Sequence, residues 1–243
     1  MRMAIFANRT AKEIIRDPLA VVFGIGFSVV LLLLLSAINR NIPNDLFNIE
    51  KLTPGVAVFG LSFMSLFSAQ LISKDRSSSF LTRLFTTPMK ASDYIVGYAL
   101  PLVPIALAQG VVCYITAMIL GMKFSFSLII ALMMLIPISL IFIGIGLFCG
   151  TVFSEKAATA ICGALLTNLT AWLSGTWFDL NLVGGAFKSV AYSLPFVHAV
   201  DMGKAAAVGE YAEMLPHLWW VLAYGIILVV IAVVTFRRGM KLR

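Results

Sequence analysis

The chain has 243 residues, of which 60% are hydrophobic and only 12% are charged, and its mean hydropathy is +0.99. Soluble domains carry about 25% charged residues, so this composition excludes a water-soluble globular protein and predicts an all-α integral membrane protein. In such a protein the formal net charge of +7 is typical of loops that face the cytoplasm and anionic membrane lipids. We therefore expect membrane lipids, and no nucleic acid, as partners.

The first 17 residues mix apolar and basic side chains. Met3, Ile5, Phe6, Ile14 and Ile15 are interspersed with Arg2, Arg9, Lys12, Glu13 and Arg16. This pattern favours an amphipathic interfacial helix over 1–17 that lies on the membrane surface. The alternative is a solvated basic tail that only fixes the topology.

Six apolar segments are long enough to cross a membrane, because a bilayer core of about 30 Å requires about 20 residues of helix. The predicted transmembrane helices are residues 19–38, 55–72, 95–120, 128–153, 157–178 and 218–236, which form a single domain over 1–243. The third and fourth exceed the minimum length. We expect tilting, kinks at Pro101, Pro104 and Pro137, or interfacial helix ends to absorb the excess.

The distribution of Lys and Arg predicts the orientation. Thirteen of the 18 fall on one side, in the N-terminal segment, the loops after the second and fourth spans, and the C-terminal segment. The other five are Arg40, Lys51, Lys123, Lys188 and Lys204. By the positive-inside rule, this is a multi-pass protein of the inner or plasma membrane with both termini cytoplasmic.

Residues 179–217 form the one long extracytoplasmic segment of this topology, yet the segment is apolar and is punctuated by Gly184, Gly185 and Pro195. This predicts short re-entrant helices that dip into the outer leaflet, where backbone must be buried by protein or line a cavity. An amphipathic helix on the outer surface is the alternative for 199–214.

The sequence contains no recognisable catalytic or metal site. All 11 Asp and Glu residues fall in loops or at helix ends of this topology, so the chain lacks the intramembrane relay of an ion-coupled carrier. It has no GxxxxGK[ST] phosphate loop, and its histidines and cysteines lack metal-ligand spacing. We expect no cofactor in this chain and a driving force supplied by another subunit.

Small and polar residues mark several helix faces. Gly146 and Gly150 form a GxxxG pattern that predicts helix packing. Further small or polar positions are Ser62, Ser65 and Ala69 in the second span, Gln109 in the third, and Ala164, Thr167, Asn168 and Ala171 in the fifth. They predict either packing, including packing between two copies, or a substrate path, and both hold if the path follows a dimer interface.

The loop over 74–94 is the one long polar, basic interruption in the first half of the chain. It runs through Lys74-Asp75-Arg76, Leu81-Thr82-Arg83-Leu84-Phe85-Thr86-Thr87-Pro88 and Asp93-Tyr94-Ile95-Val96-Gly97-Tyr98. This loop resembles the signature of ABC-2 type permeases, the membrane subunits of one class of ATP-binding-cassette exporters. The six-span layout, Arg16-Asp17-Pro18, Gly175-Thr176-Trp177-Phe178 and Ser193-Leu194-Pro195-Phe196 extend the resemblance over essentially the whole chain. The departures are Asp75 for the usual Glu, and Ser78, Ser79 and Thr82 for the usual Gly-Thr pair and the Glu before Arg.

The resemblance implies a dimer, of identical or related permeases, that works with two copies of a separate ABC ATPase subunit in which ATP and Mg bind. It implies that the loop forms a cytoplasmic coupling helix in a cleft of the ATPase. The coupling residues are then Lys74, Asp75, Arg76, Leu81, Arg83, Leu84, Phe85, Thr86, Thr87 and Pro88. Physically, Leu81, Leu84 and Phe85 suit an apolar groove, while the basic residues suit acidic rims or lipid phosphate.

The expected function is therefore a non-enzymatic permease subunit in ATP-driven export of an amphiphilic substrate, such as a drug, antibiotic, peptide or lipid-like molecule. Few charges along an apolar path suit such cargo. Residues 1–17 lack the Tyr- and Arg-rich composition typical of polysaccharide-exporting relatives. Polysaccharide or glycolipid export, a non-transporting membrane anchor and a secondary carrier are the alternatives.

Overall fold

A computed structural model describes residues 2–18, 22–41, 48–78, 80 and 89–241. The described part of the chain is built of helices and contains no strand, which confirms the all-α prediction. The helices are α1 (Arg2–Ile15), α2 (Phe27–Asn41, preceded by a π-helical segment at Val22–Gly26), α3 (Ile49–Ser77), α4 (Ala91–Ala99), α5 (Leu102–Ile119), α6 (Phe126–Val152), α7 (Glu155–Ala160), α8 (Leu166–Leu173), α9 (Leu180–Val183), α10 (Gly185–Ser193), α11 (Pro195–Val208) and α12 (Tyr211–Lys241).

Five helical segments of the described chain are long and apolar enough to cross a membrane: Val22–Arg40, Ile49–Ser77, Ala91–Ile119, Phe126–Val152 and Tyr211–Met240. They coincide with five of the six predicted spans. The third is interrupted at Pro101, one of the predicted positions, since α4 ends at Ala99 and α5 begins at Leu102. Pro104 lies within α5, which continues through it. Pro137 likewise lies within α6, and the helix continues through it.

The predicted span 157–178 has a different structure. It comprises α7, a π-helical segment at Ile161–Leu165 and α8. Helix ends at Leu173, and Gly175 adopts a φ of +68°, so the predicted continuation to Phe178 is wrong. A residue in this left-handed region cannot extend a right-handed helix, and glycine adopts it without the cost of a Cβ clash.

Helix α3 is the axis of the bundle. In its apolar window 78% of residues are buried, against 17% in the first and last of the five segments. It contacts α2, α5, α6, α7, α8 and α11. The contact with α6 is close because a Cβ at Gly146 would clash with the backbone of Ser65, and one at Gly150 would clash with that of Ala69.

Helix α11 lies inside the bundle, packed against α3, α6 and α12. Eleven of its 14 residues are buried, on all sides of the helix. The alternative of a surface helix over 199–214 is therefore wrong, since residues 199–208 belong to a buried helix and a new helix begins at Tyr211. Asp201 and Lys204, predicted to lie in a loop, are part of α11. The small residues of α11 allow this helix to pack among the longer helices.

Candidate coupling site at the base of the loop

A buried carboxylate lies in the last turn of α3, immediately before the loop. Asp75 is 3% exposed and accepts two hydrogen bonds from Arg9, at 2.6 Å from Nη1 and 2.9 Å from Nη2. The hydroxyl of Tyr98 donates a third, at 2.7 Å. A carboxylate removed from water is costly unless its charge is paired and its oxygens are hydrogen-bonded, and these contacts supply both.

Three segments meet at this carboxylate: α1 supplies Arg9, α3 supplies Asp75, and α4 supplies Tyr98. The ring of Phe6, one turn before Arg9, packs edge-on against Tyr98 at 4.9 Å between centroids. Gly97 makes this approach possible, because a Cβ there would lie 2.5 Å from the Phe6 ring. The prediction of a helix at the N-terminus is thus confirmed over Arg2–Ile15, and its Phe6 and Ile14 face the protein while Ile5 and Ile15 are exposed.

Charged and aromatic contacts extend the pairing outward. Arg9 also contacts Glu13 at 2.9 Å, and Lys74 contacts the same carboxylate at 3.3 Å. The Arg9 guanidinium lies 4.2 Å above the ring of Phe80, in the loop beyond α3. Hydrogen bonding to Asp75 raises the pKa of Arg9 above its ordinary value, so Arg9 carries its positive charge throughout the physiological range. We call Arg9, Glu13, Lys74, Asp75 and Tyr98 the Asp75 cluster.

Arg76 fastens α3 on the opposite side. Its guanidinium donates to the backbone carbonyls of Thr151 and Phe153, at the C-terminal end of α6, where carbonyls lack partners within the helix. The end of α3 is therefore joined to α1 and α4 through Asp75 and to α6 through Arg76.

The other predicted coupling residues, Leu81, Arg83, Leu84, Phe85, Thr86, Thr87 and Pro88, lie outside the described residues. The structure does describe both flanks of that stretch. Ser78 follows α3 directly, and Lys90 precedes α4, where its backbone N–H donates to Asp93 at 3.0 Å.

The small and polar positions divide into two groups that the structure does not bring together. Ser62, Ser65, Ala69 and Gln109 are fully buried inside the chain, and the Gln109 amide donates to Ser28 at 2.9 Å. On the fifth predicted span, Ala164 and Asn168 are exposed while Thr167 and Ala171 are half-buried. The second group thus remains available at the surface of the chain, whereas the first is occupied by internal packing.

A histidine pair joins α11 to α12 at the other end of the bundle. His198 Nδ1 lies 2.8 Å from His217 Nδ1, and His198 Nε2 lies 3.0 Å from the carbonyl oxygen of Tyr192. The ring of Trp220 stacks on His198 at 4.8 Å. Since a carbonyl only accepts, Nε2 carries a proton and, in the neutral pair, His217 donates to His198. Burial lowers the pKa of His198 and raises that of Asp201, one turn away on α11.

Sequence reasoning missed Arg9 and Tyr98 as partners of Asp75, and it missed the histidine pair. A signal for the first was present, since an acid at the end of a membrane helix requires a nearby cation. Four basic residues of the N-terminal segment satisfy that requirement equally well in sequence. Only the packing of Phe6 against α4 selects Arg9.

The comparison with known families decides the assignment. A family model described as ABC-2 type transporter matches residues 2–206. The chain belongs to the ABC-2 type transporter family. A search among curated proteins gave no match.

Membership confirms the resemblance seen in the loop. The protein is a multi-pass membrane permease subunit of an ABC transporter, a kind of subunit that pairs with an ABC ATPase and typically has no ATPase site of its own. The match includes the three helices of the Asp75 cluster, so the permease carries this cluster at the base of the segment that resembles the family's coupling loop.

Removing the charge of Asp75 is expected to destabilise the permease. Asp75→Asn removes the charge that accepts from Arg9, but the Arg9 side chain is 37% exposed and keeps Glu13 as a counter-ion. We therefore expect a loss of about 1.5 kcal/mol, the net contribution of a hydrogen bond to a charged group. The free energy of unfolding in mild detergent, measured by denaturant titration, tests this. Glu155→Gln is the matched control, because Glu155 is exposed in the first turn of α7. Equal stability of the Asp75 variant and the control contradicts the structural role of the cluster.

The histidine pair is expected to make stability depend on pH. Because the pKa of folded His198 is lowered below its unfolded value of about 6.5, the unfolded state takes up more protons below that pH, and stability falls as pH decreases through it. Thermal melting at pH 7.5 and 5.5 should show a lower midpoint at pH 5.5, with a smaller difference in His198→Gln.

The comparison with His198→Gln is needed because Asp201 affects stability in the opposite direction. The pKa of folded Asp201 is raised, so protonation of Asp201 at lower pH stabilises the folded state. An equal pH dependence in the parent protein and His198→Gln contradicts the assignment to the histidine.

Proposed function

We propose that this permease exports an amphiphilic substrate across the cytoplasmic membrane, as a dimer powered by two ABC ATPase subunits that bind the loop after α3. The observation that carries the proposal is the Asp75 cluster. It fixes the base of the loop to the most enclosed helix of the bundle, so that a displacement of the loop moves α3 and its neighbours together.

The mechanical argument rests on the contacts of α3. Asp75 and Arg76 hold its end to α1, α4 and α6, and the rest of the helix contacts α5, α7, α8 and α11. An ATPase that binds the loop differently with and without ATP shifts the equilibrium between two arrangements of the bundle. Close packing at Gly146 and Gly150 favours motion of α3 and α6 as one body.

Segment 155–173 is proposed as the sixth membrane crossing. It begins beside Phe153, which accepts from Arg76 at one end of α3, and it leads to Thr176, which lies against Gly55 at the other end. The distance between positions 55 and 76 along a helix is about 32 Å, which matches the hydrocarbon core. Six crossings place both termini on one side, and the basic residues place that side in the cytoplasm.

Residues 180–208 are then re-entrant helices of the outer leaflet. Burial of α11 by α3, α6 and α12 supports this, because it satisfies the requirement that backbone at membrane depth be covered by protein.

Substitution in the loop is expected to disconnect the ATPase. Arg83→Glu with Phe85→Asp replaces an aromatic anchor and reverses one charge, and loss of a hot-spot side chain weakens binding about 30-fold. The permease and its co-encoded ATPase are expressed together, and co-purification and ATP turnover in liposomes are measured. Retained co-purification with unchanged turnover contradicts coupling through this loop.

The matched control is Lys123→Glu with Phe124→Asp. These residues are exposed at the opposite end of the bundle, between α5 and α6, and the double variant introduces the same chemical changes. It is expected to retain the ATPase.

The exposed face of α8 and the preceding π-helical segment is proposed as the contact between two permease copies. Small residues such as Ala164 and Ala171 permit close helix approach. Thr167→Cys is expected to form an intermolecular crosslink in membranes under mild oxidation, detected as a dimer in gel electrophoresis. Cysteine at Ser62, which is fully buried, is the control, and equal crosslinking of both contradicts the interface.

A further inference from the structure

Two cavities lie in succession along one seam between α4 and α12. The first, of about 590 Å³, is lined by Lys90, Ser92, Val233, Arg237 and the methionines Met89 and Met240. The second, of about 330 Å³, is lined only by apolar residues, among them Val96, Leu100, Ile226 and Val230. A polar cavity with two cations therefore leads into an apolar groove.

The register of the two helices places the two cavities end to end. Ser92 in the first cavity is one helical turn from Val96 in the second, and Val233 is one turn from Val230. The rings of Tyr94 and Phe236, 5.6 Å apart, hold the helices together at this level. From Ser92 to Val103 the seam extends about 16 Å, which is about half of a 30 Å hydrocarbon core and hence the depth of one leaflet.

The charge of the first cavity favours an anion. The described residues that line it include Lys90 and Arg237 and no acid. The neighbouring carboxylate, Asp93, is engaged as the N-terminal cap of α4 by the Lys90 backbone N–H. The positive end of the α4 dipole, at Ala91, adds to the two side-chain charges.

The groove requires an apolar occupant. Four of its side chains remain well exposed: Val96 at 39%, Leu100 at 50%, Ile226 at 63% and Val230 at 53%. A soluble anion would fill the first cavity and leave these uncovered, whereas a molecule with an anionic head and a hydrocarbon chain covers both.

We propose that this seam binds an anionic phospholipid of the inner leaflet, with its phosphate between Lys90 and Arg237 and an acyl chain along the groove. The assignment to the inner leaflet rests on the orientation given under Proposed function. The assignment of an anionic phospholipid rests only on the two cavities. Because Lys90 directly follows the coupling stretch, the bound lipid holds the returning end of the loop against α12.

Lipid binding is measured on the permease alone in detergent, so that its outcome is independent of the ATPase and of transport. Native mass spectrometry and thermal melting compare phosphatidylglycerol, phosphatidylcholine and glycerol phosphate as probes. Phosphatidylglycerol is expected to form a retained adduct and raise the melting midpoint, while the other two do not. Equal binding of phosphatidylglycerol and phosphatidylcholine overturns the proposal.

Variants locate the site. Lys90→Gln and Arg237→Gln are each expected to weaken phosphatidylglycerol binding about fivefold, the effect of one cation near a lipid phosphate, whereas Lys123→Gln leaves it unchanged. Ala99→Phe fills the groove and reduces binding, and Ala108→Phe, exposed on α5 and outside the groove, does not. Undiminished binding in the Lys90 and Arg237 variants overturns the proposal even where Ala99→Phe fails to fold.

The orientation of the permease in the membrane is tested separately. Arg238→Cys and Lys123→Cys are labelled with a membrane-impermeant thiol reagent, first in intact cells and then after permeabilisation. A reversed orientation contradicts the proposed export topology. It does not contradict phospholipid binding at the seam, which the binding measurements in detergent test independently.

Discussion

The paired charge of Asp75 is the constraint on which the α1 end of the permease depends. A carboxylate that is 3% exposed has little access to water, so the fold must supply a cation and hydrogen-bond donors from other helices. Arg9 and Tyr98 do so from α1 and α4. This requirement holds α1 against α4 and joins the two flanks of the loop, since Asp75 precedes it and Tyr98 follows it.

The second constraint is the close approach of neighbouring segments to the backbone of α3, which occurs near both ends of this helix and at its middle. Glycines at 55, 146 and 150 each lie where a side chain would clash with a neighbouring segment. In a bilayer, helices gain little from hydrophobic burial against each other, so close packing and small residues carry a larger share of the association. The result is a central helix packed closely against its neighbours, as the proposed coupling through α3 requires.

The two ends of the bundle differ in their chemistry. The α1 end holds charged groups in pairs, Arg9 with Asp75 and Lys74 with Glu13. The opposite end joins α11 to α12 through two imidazoles in contact, and burial lowers the pKa of one of them, His198. The end that is proposed to meet the ATPase is therefore held by ion pairs, and the other end by a pair of imidazoles.

The sequence by itself determined the class of the protein, the family and most of the membrane spans, because a 20-residue apolar run and a contiguous loop motif are local properties. It predicted the interruption at Pro101 for the same reason. Only the tertiary structure decided which cation pairs with Asp75, that residues 199–208 are buried within the bundle, and that His198 meets His217, since each depends on the approach of segments distant in the chain. The end of the fifth predicted span at Leu173 was also missed, because an apolar pattern continues through Gly175 although its backbone turns there.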